Sequence, residues 1–479
     1  MYMKKIFLLI FCCGVIQAQQ PLDQCVVKLQ ESSMENRFPG YTEAVNRTFD
    51  KAIERAEIDH TLRSDTTLYR IPVVVHIVYN TPEQNLTDEV IRSQIEVLNE
   101  VYRRTNANAS ETREVFLPVA GDAHIEFYLA NEDPAGNPST GITRTSTDTV
   151  TFVNLGFDFD VLLQAVQECG ITDPFNVTPE QIECLVQTMG AGGGIDPDAL
   201  SAALDAVKSD ATGGIDPWDP ERYLNIWVCN LAIDLLGSPT PAILGFAYPP
   251  IEAPNWPQGS VPANIDEVDG VVIHYQAFGL NNPAAGPLEG LIDLGKTTCH
   301  EVGHYLGLRH IWGDGDCTMD DGIADTPEMA AQSQQDCDLT KNSCTSDSFP
   351  DMIENYMDYS ADACMNMFSL GQIGIMRAMI EGPRLGLLWQ SELPSSALTS
   401  LHRPLLQAYP QPASETLYLQ YQGDLMGDEI IVLRNLHGQI IKQYAGVPAQ
   451  LNLQELPKGT YFLQVISRTQ NGTIPVQIL

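Results

Sequence analysis

Positive charge is what this sequence has least of. Lys and Arg number 26 against 62 Asp and Glu in 479 residues, a formal net charge of −36. Phosphate backbones and anionic lipid repel such a chain, which excludes nucleic acid and acidic membrane surfaces as partners. Past the N-terminus there is no uninterrupted apolar run of about 18 residues, so no later segment is expected to span a bilayer. The opposite extreme, a disordered acidic tail, is excluded by an apolar content of 44%, enough for real cores. Histidine is scarce too, with nine in all, and three of the nine stand between positions 300 and 310.

What is present divides the chain. Residues 1–18, MYMKKIFLLIFCCGVIQA, carry Lys4 and Lys5 ahead of a short apolar run and end on a small residue, which predicts a signal peptide and export. Residues 19–68 are polar, with a helix expected around Thr42–Glu57 and no strong core pattern. Tyr69–Tyr79, YRIPVVVHIVY, reads as a buried strand. Thr87 then caps a helix whose face is Val90, Ile91, Ile95, Leu98 and Tyr102. Further strands are expected at Ala123–Ala130, Tyr223–Leu231 and Gly270–Phe278, giving an α/β layered fold. Residues 150–217 read as an insertion with helices at Pro179–Met189 and Pro197–Val207, and Cys169 and Cys184 flank a turn that a disulfide would close. After a Ser/Pro linker at 391–404, short alternating runs predict a small all-β sandwich.

The chemistry concentrates in Leu291–His310, LIDLGKTTCHEVGHYLGLRH. On a helix His300 and His304 lie one turn apart on the same face, so both imidazoles reach one metal ion. Glu301, beside the first ligand, is placed to act on a water without being a ligand itself. Gly307 suits the end of the helix, where a turn brings back His310 as third ligand. Three histidines plus water make an open zinc geometry of the catalytic kind. The bland reading, an amphipathic helix with surface histidines, does not account for their clustering.

HEVGHYLGLRH, followed downstream by ENYMDYS at Glu354–Ser360, resembles the metzincin metallopeptidases, and within them the ulilysin-like members of the pappalysin family. IPVVVHIVY, SQIEVLNE, GITRT at Gly141–Thr145 and YLNIWV also resemble that family. The resemblance implies a catalytic domain over 69–390, with a twisted sheet, a backing helix, a zinc helix and a Met-turn, after a prosegment at 19–68. It implies hydrolysis of peptide bonds in proteins by a zinc-activated water with Glu301 as general base and acid. Met357 would lie beneath the zinc, and Tyr359 would reach into the cleft as a hydrogen-bond donor to the reacting oxygen.

The same resemblance pairs Cys317 with Cys344 and Cys337 with Cys364, although a Cys₄ zinc cluster is the rival reading. Cys229 and Cys299 are expected to be buried thiols. Cys25 is a candidate latency residue, its thiolate taking the water's place on zinc; a free or dimer-forming thiol is the alternative. The acidic run GDGDCTMDDGIAD, Gly313–Asp325, suits calcium, with Asp320, Asp325 and Thr326 as candidate ligands and a solvated loop as the alternative. The resemblance also implies cleavage before basic residues through an acid near the last paired cysteine, for which Asp362 is the candidate.

The C-terminal stretch, with AYPQP at Ala408–Pro412, Gly438, and Leu456, Gly459 and Tyr461 near the end, resembles the sorting domains of the type IX secretion system of Bacteroidetes. That implies a sorting module at 398–479, the secretion machinery as a partner, and a secreted or surface-attached destination. The rival to an enzyme is a surface adhesion or binding protein with an inactive metal site; the intact Glu301 argues against it.

Overall fold

A computed structural model of the chain describes residues 27–62, 67–153, 168–170, 197–234, 239–241, 243–251, 268–288, 290–333, 336–344, 349–389, 406–409, 413, 416–421, 430–435, 440–453, 456–466 and 471–478. The expected signal peptide, Cys25, Cys184 and the helix at 179–189 lie outside them. The chain divides into two compact units, Met1–Ser391 and Glu392–Leu479.

The first unit opens with helices α1 (Val27–Arg37) and α2 (Tyr41–Leu62). The sequence shows no strong core pattern here, yet Met34, Tyr41, Ala44, Phe49 and Ala52 are buried. Their burial is supplied by the rest of the unit, so the few apolar residues suffice. Strand β1 (Tyr69–Tyr79) follows, with only Arg70 exposed. Helix α3 (Asp88–Tyr102) starts at Thr87 as expected, although the threonine side chain makes no capping bond. Then come β2 (Ile125–Leu129), β3 (Ile142–Ser146), helix α4 (Pro197–Asp205), β4 (Leu224–Cys229), a hairpin of β5 (Ala232–Asp234) and β6 (Pro239–Pro241), β7 (Gly245–Ala247) and β8 (Val271–His274).

The main sheet runs β2-β1-β4-β8-β7, with β3 pairing the second half of β1. Strands β2, β3 and β4 run parallel to β1, β8 parallel to β4, and β7 alone is antiparallel, at the edge beside β8. The β-branched run in β1 is continuous because a parallel central strand is covered on both faces. Helix α3 backs this sheet and anchors helix α5 (Lys296–Tyr305): Gln94 Nε2 donates to the Gly295 carbonyl at 3.0 Å, and Tyr102 donates to that of Cys299 at 3.0 Å. Helix α6 (Leu370–Ile380) begins in a capping box formed by Ser369 and Gln372.

The second unit holds antiparallel strands β9 (Leu406–Tyr409), β10 (Thr416–Tyr421), β11 (Ile430–Asn435), β12 (Ile440–Ala445), β13 (Gln450–Asn452), β14 (Gly459–Ile466) and β15 (Asn471–Ile478). They form two sheets, β13-β10-β9 and β12-β11-β14-β15, whose apolar residues, Leu417 and Leu419 from one and Leu433 and Leu463 from the other, share one core.

Candidate active site

The structure brings the three expected histidines together. His300 and His304 project from α5, which ends at Leu306; Gly307 then takes φ of +89°. A Cβ there would also sit 2.6 Å from Met379, so only glycine makes the turn without strain. The turn returns His310 to the two helical histidines. His304 Nε2 lies 3.0 Å from His300 Nε2 and 3.1 Å from His310 Nε2.

These nitrogens cannot be bonding one another. His300 Nδ1 donates to the Tyr356 carbonyl at 2.7 Å, His304 Nδ1 to the Leu308 carbonyl at 2.8 Å, and His310 Nδ1 to the Asp314 carboxylate at 2.5 Å. With each proton committed to Nδ1, three Nε2 lone pairs face one point. Burial pushes His300 well below the ordinary histidine range and His304 down to about 3, which keeps those lone pairs free. Nitrogens held by one tetrahedral zinc at about 2.0–2.1 Å lie about 3.3 Å apart, so the cluster fits that ion. Among the described residues it is the only group of three or more His, Cys, Asp or Glu whose ligand atoms converge within 4.8 Å.

Glu301, Met357, Tyr359 and Asp362 all lie near the three histidines. Glu301 is buried beside His300 and lies under edge strand β7, where a Cβ on Gly245 would come within 2.7 Å of its Cγ. Met357 packs beneath α5: its Sδ stands 2.5 Å from where a Cβ on Gly303 would be. The Tyr359 hydroxyl lies 3.3 Å from His310 Nε2. Asp362 shares a recess with Lys296, His300, Glu301 and Tyr359. Its Oδ2 accepts from the Leu294 and Lys296 amides, while burial raises its pKa to about 7.

The irregular segment after the helix carries two disulfides, Cys317–Cys344 and Cys337–Cys364, and Cys229 and Cys299 are free and buried. Cys169 is disulfide-bonded. The candidate calcium residues Asp320, Asp325 and Thr326 lie around the buried Asp321. Asp325 also secures the start of α6, accepting from Ser369 Oγ at 2.6 Å and the Gly371 amide at 2.8 Å. Asp320 accepts from the Gly322 amide, and the loop's buried acid is Asp321, whose Oδ1 accepts from Thr326. Three site features escaped the sequence reading: the Asp314 partner of His310, the Leu308 carbonyl behind His304, and Gly245 above Glu301. Asp314, four residues after His310, was legible only as one more acid of an acidic loop.

Together these residues define an open three-histidine metal centre with an acid beside it, on a mixed sheet with a methionine turn below. The profile of the pregnancy-associated plasma protein-A peptidase family matches residues 291–381, and that of the secretion system C-terminal sorting domain matches residues 407–478. Mature mirolysin of Tannerella forsythia, solved with a cleaved peptide, is 38% identical with a TM-score of 0.51, the match covering 68% of this chain and 98% of that one. A promirolysin variant from the same organism is 35% identical, TM-score 0.54, over 75% of this chain and 95% of that one. Among curated relatives, an extracellular metalloprotease of Arthroderma otae is 30% identical over 47% of this chain and 86% of its own length. One from Arthroderma benhamiae is 36% identical over 30% of this chain and 45% of its own length, so the chain spans less than half of that relative. The chain belongs to the pappalysin family of metallopeptidases, and it carries a sorting module of the type IX secretion kind.

Proposed function

We propose that the chain is a zinc endopeptidase made as a latent precursor and exported through its C-terminal module. The observation that carries this is the convergence of three Nε2 lone pairs at 3.0 and 3.1 Å with Glu301 buried alongside. His300, His304 and His310 would hold the zinc, which would supply the Lewis acidity that activates a water and polarises the scissile carbonyl. Glu301 takes the proton of the attacking water and hands it to the leaving amine. The Tyr359 hydroxyl donates to the carbonyl oxygen as charge grows there. Asp362, in the recess beside Glu301, would favour a cationic side chain following the cleaved bond. Latency falls to the segment 19–68. Its helices α1 and α2 line, with His304 and His310, a cavity of about 630 Å³; Cys25, two residues before α1, is the residue offered as the thiolate that displaces water. The module at 398–479, two sheets forming a sandwich, is the address read by the secretion machinery.

The rival is a surface binding protein whose metal site does no chemistry. Casein cleavage by processed protein separates the two. The proposal expects cleavage that a chelator abolishes and zinc restores; a fully metallated, processed protein that cleaves nothing would favour the binding protein.

A further inference from the structure

The insertion takes no part in the chemistry above, yet its helix α4 sits at the contact between the N-terminal segment and the body of the first unit. Met34 of α1 and Tyr41 and Ala44 of α2 share one buried apolar cluster with Leu200, Leu204 and Val207. Ser33 Oγ donates to Asp198 Oδ1 at 2.8 Å across the same contact. The insertion side of this contact is mounted on the sheet independently of the N-terminal segment. Lys208, directly after α4, points its ammonium at the rings of Trp227, Phe246 and Tyr248, at 5.7, 4.9 and 4.4 Å, and donates to the Val268 carbonyl. Tyr248 in turn donates to Asp205 at 2.9 Å. A desolvated cation among aromatic faces, paired with an acid, is a costly arrangement to break.

On the N-terminal side α2 is also held by Arg309, which donates to Asn46 at 2.8 Å and lies over the Phe49 ring at 3.9 Å, whereas α1 carries an unsatisfied group. Gln30 of α1 is buried with neither its amide nitrogen nor its oxygen hydrogen-bonded among the described residues. Burying unpaired polar atoms offsets part of what the apolar contact contributes. Gln30, Glu31, Tyr41 and Phe49 line the cavity over His304 and His310, so α1 and α2 roof the ligands without filling the space above them. Whether the roof stays depends on what it rests on at its edges.

We propose that α4 is the docking surface for the N-terminal segment: the insertion is a preformed seat that holds α1 over the zinc ligands, and latency depends on it. This rests on the precursor reading given above. The partner of the surface is this chain's own residues 27–44, a helix pair presenting Ser33, Met34, Tyr41 and Ala44.

The test uses the full chain with Glu301→Ala, which prevents self-cleavage, and reads the rate at which added trypsin releases the N-terminal segment. Met34→Ala and, separately, Leu204→Ala are expected to speed release about tenfold or more, as truncation of a buried contact residue does. Met34→Ala in the active chain supplies the control, since the processed enzyme then has unchanged sequence and is expected to show unchanged kcat/KM. Release within twofold of the parent for both folded variants would overturn the seat. An unprocessed wild-type chain as active as the processed one would instead overturn the precursor reading, whatever the release rates.

Discussion

Each ligand histidine is fixed by a different partner, and only one of those partners is charged. His300 and His304 lean on backbone carbonyls, whereas His310 leans on the Asp314 carboxylate, with its ring stacked on Trp312 at 4.2 Å. Asp314 takes a φ of +57°, a conformation aspartate tolerates better than most residues. Asp314→Ala should therefore weaken zinc binding by about 10–100-fold, as loss of a ligand's supporting acid does; competition against a chelator measures it. Asp321 gives a second prediction. Its Oδ2 is buried with no hydrogen-bond partner among the described residues, and burial raises its pKa from 3.8 to about 7. The folded protein then holds this proton more tightly than the unfolded one, so the stabilisation is complete below pH about 4 and is lost as pH rises through about 7. Asp321→Asn should flatten that decline and raise Tm at neutral pH; a lowered Tm would mean that a bound cation compensates the charge. At this scale His300 and His304 were legible because helical spacing sets which side chains share a face, Glu301 and His310 from their places beside and beyond that pair, and Met357 and Tyr359 only through the family resemblance. Asp314 was not, since its role depends on a turn geometry that no residue count reveals.

Among the elements, α5 and the turn after it decide the site. Gly307→Ala would force a side chain into a positive-φ position and against Met379. The expected cost is about 1–3 kcal/mol from the backbone alone, seen as a lower Tm together with weakened zinc binding, because the same turn positions His310 and the Leu308 carbonyl. Strands were legible from their β-branched runs, with ends displaced where the chain leaves the sheet early. Gly270–Phe278 was read as one strand, but the strand is Val271–His274, followed by a 3₁₀ turn at Tyr275–Ala277. Helix α4 was legible as Pro197–Val207 and ends in a 3₁₀ turn that carries Lys208 into the aromatic rings. The burial of α1 and α2 was not legible. It depends on surfaces, chiefly α4 and α6, that are distant in sequence, and a sparse apolar face looks the same whether or not a partner covers it.

For the molecule as a whole, the charge of −36 first served to exclude anionic partners. A few of its acids have specific tasks: Glu301 beside the ligands, Asp314 behind one of them, Asp325 at the start of α6, and Asp362 in the recess. The division at Ser391 gives the sorting module its own core, separate from that of the first unit. Deleting 398–479 should accordingly leave peptide hydrolysis by the processed enzyme within about twofold while abolishing its export; undiminished export would refute the module's role. The linker and the β content were legible from composition, whereas the pairing of the strands into two sheets was not, because register in short antiparallel strands is settled by contacts across the sheet. The central claim is that Glu301 performs proton transfer on a zinc-activated water, and it is tested most directly by Glu301→Ala with zinc content and turnover measured on the same sample. The account predicts one zinc per chain, an unchanged fold and peptide hydrolysis reduced at least 10²-fold, the order expected for loss of a general base. A variant that keeps its zinc and still turns over peptide near the wild-type rate would contradict it.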